Sequence, residues 1–425
     1  MTIEPFSLPD GFLLGAATAA TQIEGGDRNN NWYRWFEGGH VKDGSDPSVA
    51  CDHWNRVAED TALLTELGCH TYRLGVEWSR IEPEPGRCDE EAIAHYRDEL
   101  QRLRDAGIVP LLTIYHFSHP LWFEDMGGWM SRRSIECYLR FAEVVVRRLG
   151  DLVDDWITIN EPNIYLIFGY VMGVWPPGRK SILRFFRGRR HMVRAHRAAY
   201  ETIHRISTEL GRPEPNVGVA HHLRVFDPAT DRVADRFMAR FYERMSQGIF
   251  VSAMTGASGE GKRRWADFIG VNYYSRDIVH FVPNPAIGFG RRMSLEGAPV
   301  NDLGWERYPE GLYRVVRWLA ERYSLPIYIT ENGTCDSRDA FRSRYIYDHL
   351  YQIHRLIEDG VDVRRYYHWT LTDNFEWSEG TTARFGLVYV DFDSQRRAPR
   401  ESARFFAEIC RRRAVTTGMI ERHIR

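Results

Sequence analysis

Short apolar runs alternate along the whole chain with longer charged, periodic stretches. Eight runs read as buried strands: residues 12–20, 70–78, 109–115, 155–160, 217–220, 268–274, 327–330 and 366–371. The first is apolar and small, and the others are strand-like apolar runs. The stretches between them read as helices. Several end on a glycine just before the next strand, at Gly68, Gly107, Gly150, Gly211 and Gly360. A glycine there closes a helix in the left-handed conformation. Pro309 suits the first turn of a helix running towards Tyr323. Helix, closing glycine and strand, repeated in that order, predict βα units and a parallel sheet. Eight such strands predict a (β/α)₈ barrel. The competing doubly wound sheet favours a G-x-G-x-x-G turn after an early strand, and none is present.

No repeat and no low-complexity linker divides the chain, so one catalytic domain over residues 1–425 is expected. The longest apparent connection, residues 282–308, holds several Gly and Pro. Loops of that length in a compact fold are more often functional than idle. Residues 179–194 carry seven Lys or Arg and read as a solvated helix face, since no aromatic platform for nucleic acid accompanies them.

Composition narrows the picture. A net charge of −2 gives no overall field for nucleic acid or an anionic membrane. The six cysteines are scattered with no Cys-x-x-Cys pair, which fits a reducing compartment and gives no zinc motif. The N-terminal ten residues hold Glu4, Pro5 and Pro9 and no basic n-region, unlike a signal peptide. No uncharged apolar run approaches the ~20 residues of a membrane span. A cytoplasmic location is expected. Thirteen Trp, 21 Tyr and 22 Phe serve mostly as core, and leave faces on which a flat ring can stack.

Chemistry in such a barrel sits at the carboxyl ends of the strands. Two strands end alike, in Thr158-Ile159-Asn160-Glu161 and Ile329-Thr330-Glu331-Asn332. An isolated Glu past a strand is usually a solvated loop residue. Two of them at barrel strand ends point to carboxylates facing one pocket. The other strand ends add Gln22, Glu24, Arg73, His116, Asn272, Tyr273, Tyr274, Trp369, Asp373, Asn374, Glu376 and Trp377. There is no G-x-S-x-G elbow and no H-E-x-x-H. Paired carboxyl groups, hydroxyl-binding side chains and indole faces suit a neutral polyhydroxylated ring, which is to say a sugar.

At this point the chain resembles glycoside hydrolase family 1, the retaining β-glucosidase family. The matching runs are Thr-Ile-Asn-Glu-Pro (158–162), Ile-Thr-Glu-Asn-Gly (329–333), Gly-Val-Asn-Tyr-Tyr (270–274), Tyr-Arg-Leu-Gly-Val-Glu-Trp-Ser-Arg (72–80) and Asp-Asn-Phe-Glu-Trp-Ser-Glu-Gly (373–380). Residues 12–25 look like the family's opening and 384–391 like its closing segment. The resemblance implies Glu161 as acid/base and Glu331 as nucleophile, with Arg73 and Tyr274 in contact with the nucleophile. It implies that Asn160 bonds the sugar 2-hydroxyl and that Gln22, His116, Glu376 and Trp377 bind the other hydroxyls. Trp369 matches the floor under the ring. No cofactor and no metal is implied.

Members acting on 6-phosphorylated sugars typically replace the residue at Glu376 and carry a Ser/Lys/Tyr cradle just beyond. Here Glu376 stands, and Ser378 is followed by Glu379-Gly380-Thr381-Thr382 with no Lys. An unphosphorylated sugar is therefore expected. Residues 31–36 (Asn-Trp-Tyr-Arg-Trp-Phe) and His119 depart from the commoner pattern, and both are expected near the outer pocket, where they bear on the aglycone. The expected function is hydrolysis of terminal β-D-glucosyl residues, with galactosyl or fucosyl also accepted. The partner is a small β-glycoside or short oligosaccharide, not nucleic acid or a membrane. Oligomeric state is left open. The rival readings are a transglycosylase using the same intermediate and a non-catalytic sugar-binding barrel.

Overall fold

The computed structural model describes residues 3–256, 263–284 and 288–424. Residues 285–287 of the long connection, and the extreme termini of the expected domain, lie outside the described residues. Eight parallel strands form the barrel: β1 Leu13–Ala17, β2 Thr71–Gly75, β3 Val109–Tyr115, β4 Asp155–Asn160, β5 Asn216–Pro228, β6 Phe268–Phe281, β7 Ile327–Asn332 and β8 Val363–Trp369. Each pairs with the next, and β8 closes on β1 with Trp369 opposite Ala17. Helices cover the outside, with hydrophobic faces packed on the strands.

All eight expected strands are present. Two run far beyond their expected ends. β5 has 13 residues and β6 has 14, and they stay paired from Gly218↔Phe268 out to Pro228↔Val279. Past the barrel rim this ladder carries charge. Arg224 pairs with Asp277 and Arg276 with Asp227 across the two strands. Those charges break the apolar run while holding the ladder together. A short strand, Gly290–Met293, adds antiparallel to β6 within the long connection. The helix Val233–Glu243 packs on the same ladder through Met238 and Ala239. Together they raise a lip on one side of the barrel mouth.

Four of the five expected closing glycines are left-handed: Gly68, Gly107, Gly211 and Gly360. Gly150 is not, with φ −74°. A Cβ there would meet Val146 O and Arg212 Nη1, each at 2.5 Å. Arg212 donates to the carbonyls of Val146 (2.7 Å) and Arg147 (3.0 Å), so this glycine makes room for a guanidinium that caps the helix end. Pro309 stands immediately before the helix Glu310–Ala320, as expected.

The barrel interior is polar at two levels. Near the amino ends, Arg365 of β8 reaches across to Asp155 of β4 at 2.9 Å and lies over the Tyr328 ring. Near the carboxyl ends, Arg73 of β2 occupies the middle with no exposure to solvent. Among the described residues no helix is long and apolar enough to cross a membrane.

Candidate active site

Arg73 is the hub from which the site is built. Its Nη1 donates to Glu331 and to the carbonyl of Thr330 (3.1 Å), both on β7. Its Nη2 donates to Asn160 Oδ1 on β4 (2.6 Å), and its Nε to Thr113 Oγ1 on β3 (3.2 Å). A planar guanidinium with five fixed donors can bind three strands at once, which an ammonium cannot.

Glu331 is buried and doubly held. Arg73 takes Oε1, and the Tyr274 hydroxyl donates to Oε2 at 2.5 Å. Burial drives the carboxyl up to about 7, Arg73 and Tyr274 pull it down, and the charge of Glu161 adds to the rise. Because Glu161 is one of the causes, a proton on Glu161 lowers the cost of charge on Glu331. Of the two carboxyl groups Glu331 is the one bound by the guanidinium, which favours its ionised form.

Replacing Arg73 with Met should strand that carboxylate in the interior. The expected loss is about 3–5 kcal/mol of stability by urea unfolding. The acidic limb of kcat/KM should also move to higher pH, since the group that lowers the Glu331 pKa is gone. An unchanged limb would show that Arg73 does not govern this carboxyl.

Glu161 follows β4 with φ 38°, a left-handed conformation that bulky residues rarely adopt, at the start of the short helix Pro162–Leu166. Its N–H donates to the Ala220 carbonyl of β5 at 2.8 Å. Its Oε1 accepts from Asn272 Nδ2 (2.8 Å) and lies 3.2 Å from His222 Nδ1. The two carboxyl groups are joined through Asn272, Asn160 and Arg73, and both line one cavity of about 790 Å³, within the range of small-molecule sites.

The remaining candidates fall around the same cavity. His116, Asn160, Tyr274, Trp369, Glu376 and Trp377 line it. Arg73 and Gln22 stand directly behind, Gln22 donating to Glu376 Oε2 (3.0 Å) and Asn374 Oδ1 (3.1 Å). Burial and the charge of Glu331 push Glu376 up to about 8, with Trp369 and Gln22 drawing it back through hydrogen bonds. His116 Nε2 accepts from Asn160 Nδ2 (2.9 Å), and burial beside Arg73 keeps the ring neutral. Its proton therefore sits on Nδ1. That atom and Gln22 Oε1 are buried with no partner. A hydroxyl-bearing molecule would find one donor and one acceptor here.

Some strand-end residues are elsewhere. Glu24 bonds Arg80 and Tyr96 behind the wall, Tyr273 donates to the Tyr308 carbonyl, and Asp373 is closed in by Arg384 and Arg400. His119 is also displaced from its expected place at the outer pocket. It is fully buried, held by Tyr115, Glu124 and Asn31. Residues 31–36 do reach the site: Trp35 lines it, and Trp32 lies 4.7 Å behind Trp377, centroid to centroid.

Sequence reading missed several contributors. His222 lies two residues past Ala220, on the face that strand alternation predicts once β5 is extended. Ile164, Phe168 and Trp175, from the segment after β4, and Leu303 and Trp305, from the connection after β6, form an apolar wall of the same cavity. Lys42 meets Glu379 at 2.5 Å, so a lysine does stand beside Ser378, but its charge is taken.

Comparison with known proteins agrees with this geometry. The model of the family described as "Glycosyl hydrolase family 1" matches residues 5–263 and 260–415. The chain is 34% identical to Beta-glucosidase A of Thermotoga maritima, over 96% of this chain and 98% of that protein. It is 32% identical to a beta-galactosidase of Saccharolobus solfataricus, over 97% and 96%. A beta-glycosidase from Pyrococcus horikoshii superposes with a TM-score of 0.90 at 34% identity, covering 99% of this chain and 98% of that one. The Thermotoga maritima beta-glucosidase in complex with glucoimidazole superposes at 0.89 with 31% identity, over 96% and 99%.

Proposed function

The chain belongs to glycosyl hydrolase family 1, and from that premise we propose how its two buried carboxyl groups share the work of a retaining β-glycosidase. Glu331 attacks the anomeric carbon while Glu161 gives its proton to the departing glycosidic oxygen. The C1–oxygen bond to the aglycone breaks as the bond to Glu331 forms. Water then enters. Glu161 takes its proton, the new hydroxyl bonds to C1, and Glu331 is released with the original configuration restored. The observation that carries this reading is the asymmetry of the pair. One carboxylate is locked to a guanidinium and a phenol, and the other meets an amide and an imidazole at one oxygen, its second oxygen having no hydrogen bond among the described residues.

Asn160 holds the 2-hydroxyl, a contact able to tighten as the ring flattens towards the transition state. His116, Gln22, Glu376 and Trp377 take the other hydroxyls, and Trp369 supports the ring. Relatives are named for both glucosides and galactosides. Glucose is proposed as the principal sugar, with galactose accepted, on a barrel that works as one catalytic unit.

The test is a panel of aryl β- and α-glycosides with products followed by NMR. β-Glucoside cleavage giving β-glucose first is the expected result, and α-glucose first would overturn retention. The 6-phosphate of the same glucoside should react at least about a hundredfold more slowly, because the dianion meets Glu376 and finds Lys42 already paired. A preference for the phosphate would overturn the choice of sugar.

A further inference from the structure

His222 is the one histidine whose ring reaches Glu161. Its backbone carbonyl is fixed by Asn163 Nδ2 at 2.9 Å, and its ring stacks on Tyr274 with centroids 6.0 Å apart and planes 22° apart. Tyr274 in turn holds Glu331. Nδ1 lies 3.2 Å from Glu161 Oε1, and the ring also lines the cavity.

The same oxygen accepts from Asn272 Nδ2, and that amide has no freedom to turn round. Asn160 Oδ1, which also accepts from Arg73, and Glu161 Oε1 are both acceptors, so the nitrogen must face them and Oδ1 accepts from Thr330 Oγ1 at 2.6 Å. An oxygen receiving two N–H donors is a poor place for a proton. Glu161 Oε2 has neither donor.

We infer that His222 is a positioning residue for the acid/base: as the Nδ1–H tautomer, with Asn272, it holds Glu161 Oε1 and leaves Oε2 as the oxygen that carries the catalytic proton. This rests on the assignment of Glu161 above and adds which oxygen acts and what selects it. When Oε2 gives its proton to the glycosidic oxygen, the charge spreads to Oε1, where both donors already point. Nothing must reorganise at that moment. When water attacks C1 in the second half-reaction, Oε2 takes the proton back. The tautomer leaves Nε2 as an acceptor.

The charged and titratable groups facing His222 are Glu161 from β4, Tyr274 from β6 and, on its own strand, Arg224, which is paired with Asp277. A donor on the carboxylate favours its ionised form. Removing it should therefore move the alkaline limb of kcat/KM, which reports the acid, to higher pH.

Two substitutions separate the donor from the ring. H222F keeps the stacking ring and has no nitrogen. H222N places an amide nitrogen at the same distance from Cβ as Nδ1. For H222F the alkaline limb should rise by about half to one unit, and kcat/KM on cellobiose should fall about tenfold. On a dinitrophenyl glucoside, whose leaving group needs no proton, the change should stay within about twofold. H222N should restore the wild-type limb. In parallel, ¹⁵N shifts of the wild-type ring, identified by the signal lost in H222N, should show a protonated Nδ1. That readout depends on no variant's activity. A proton on Nε2, or an H222F limb unmoved with equal losses on both substrates, would overturn the inference. E161A run alongside tells the two failures apart: a normal rate for E161A on cellobiose removes the acid/base assignment itself, whereas an impaired E161A beside an unaffected H222F removes only the role of His222.

Discussion

Glu331→Gly should lower hydrolysis of an aryl β-glucoside by at least about 10⁴-fold, or about 5.5 kcal/mol of transition-state stabilisation. The substitution removes the attacking oxygens and spares the rest of the site. Arg73 keeps Asn160, Thr113 and the Thr330 carbonyl as partners, and Tyr274 keeps its stacking with His222. Glu161 and Glu376 still line the cavity. The space below C1 then admits a leaving group on the α face. Given α-glucosyl fluoride and an aryl glucoside acceptor, the variant should build β-linked disaccharide, because Glu161 can still take the acceptor's proton while no nucleophile remains to break the product. Mass spectrometry and NMR of the products check this. Hydrolysis within tenfold of the wild type would end the assignment of Glu331.

The second large effect divides by leaving group. For Glu161→Ala, cellobiose turnover should fall by about 10²–10⁴-fold, the usual contribution of a placed general acid. Formation of the glycosyl-enzyme from a dinitrophenyl glucoside should be nearly unchanged, since that phenolate leaves unaided. The second half-reaction then lacks its base, and the intermediate accumulates as a burst. Azide, which needs no base, should restore turnover and yield the β-glycosyl azide. A uniform loss on both substrates, with no response to azide, would mean that Glu161 shapes the cavity and moves no proton.

Much of this was legible in the chain because parallel barrel strands are buried on both faces. The run at 109–115 and the one at 155–160 coincide with β3 and β4 residue for residue. Residues at or just past the carboxyl end of such a strand are placed by the barrel itself, which is why Glu161, Glu331 and His116 could be named together. Legibility ended where stability came from pairing across the sheet. Arg224, Asp227, Arg276 and Asp277 look like loop residues one at a time, and only their mutual contacts make strand of β5 and β6. His222 was hidden for that reason.

The apolar wall was hidden for another reason. Trp35, Phe168, Trp175 and Trp305 meet only after folding, and no periodicity ties their positions together. Lys42 and Glu379 meet from opposite ends of the chain. His119 misled because its neighbour His116 faces the cavity, whereas its own ring turns into the layer behind.

One consequence of Arg73 reaches past the reaction. The guanidinium that binds Glu331 is also the tie between four barrel strands, with no exposure to solvent. Scaffold and Glu331 therefore share one fastening. What loosens the barrel at its middle is expected to loosen the hold on that carboxyl as well.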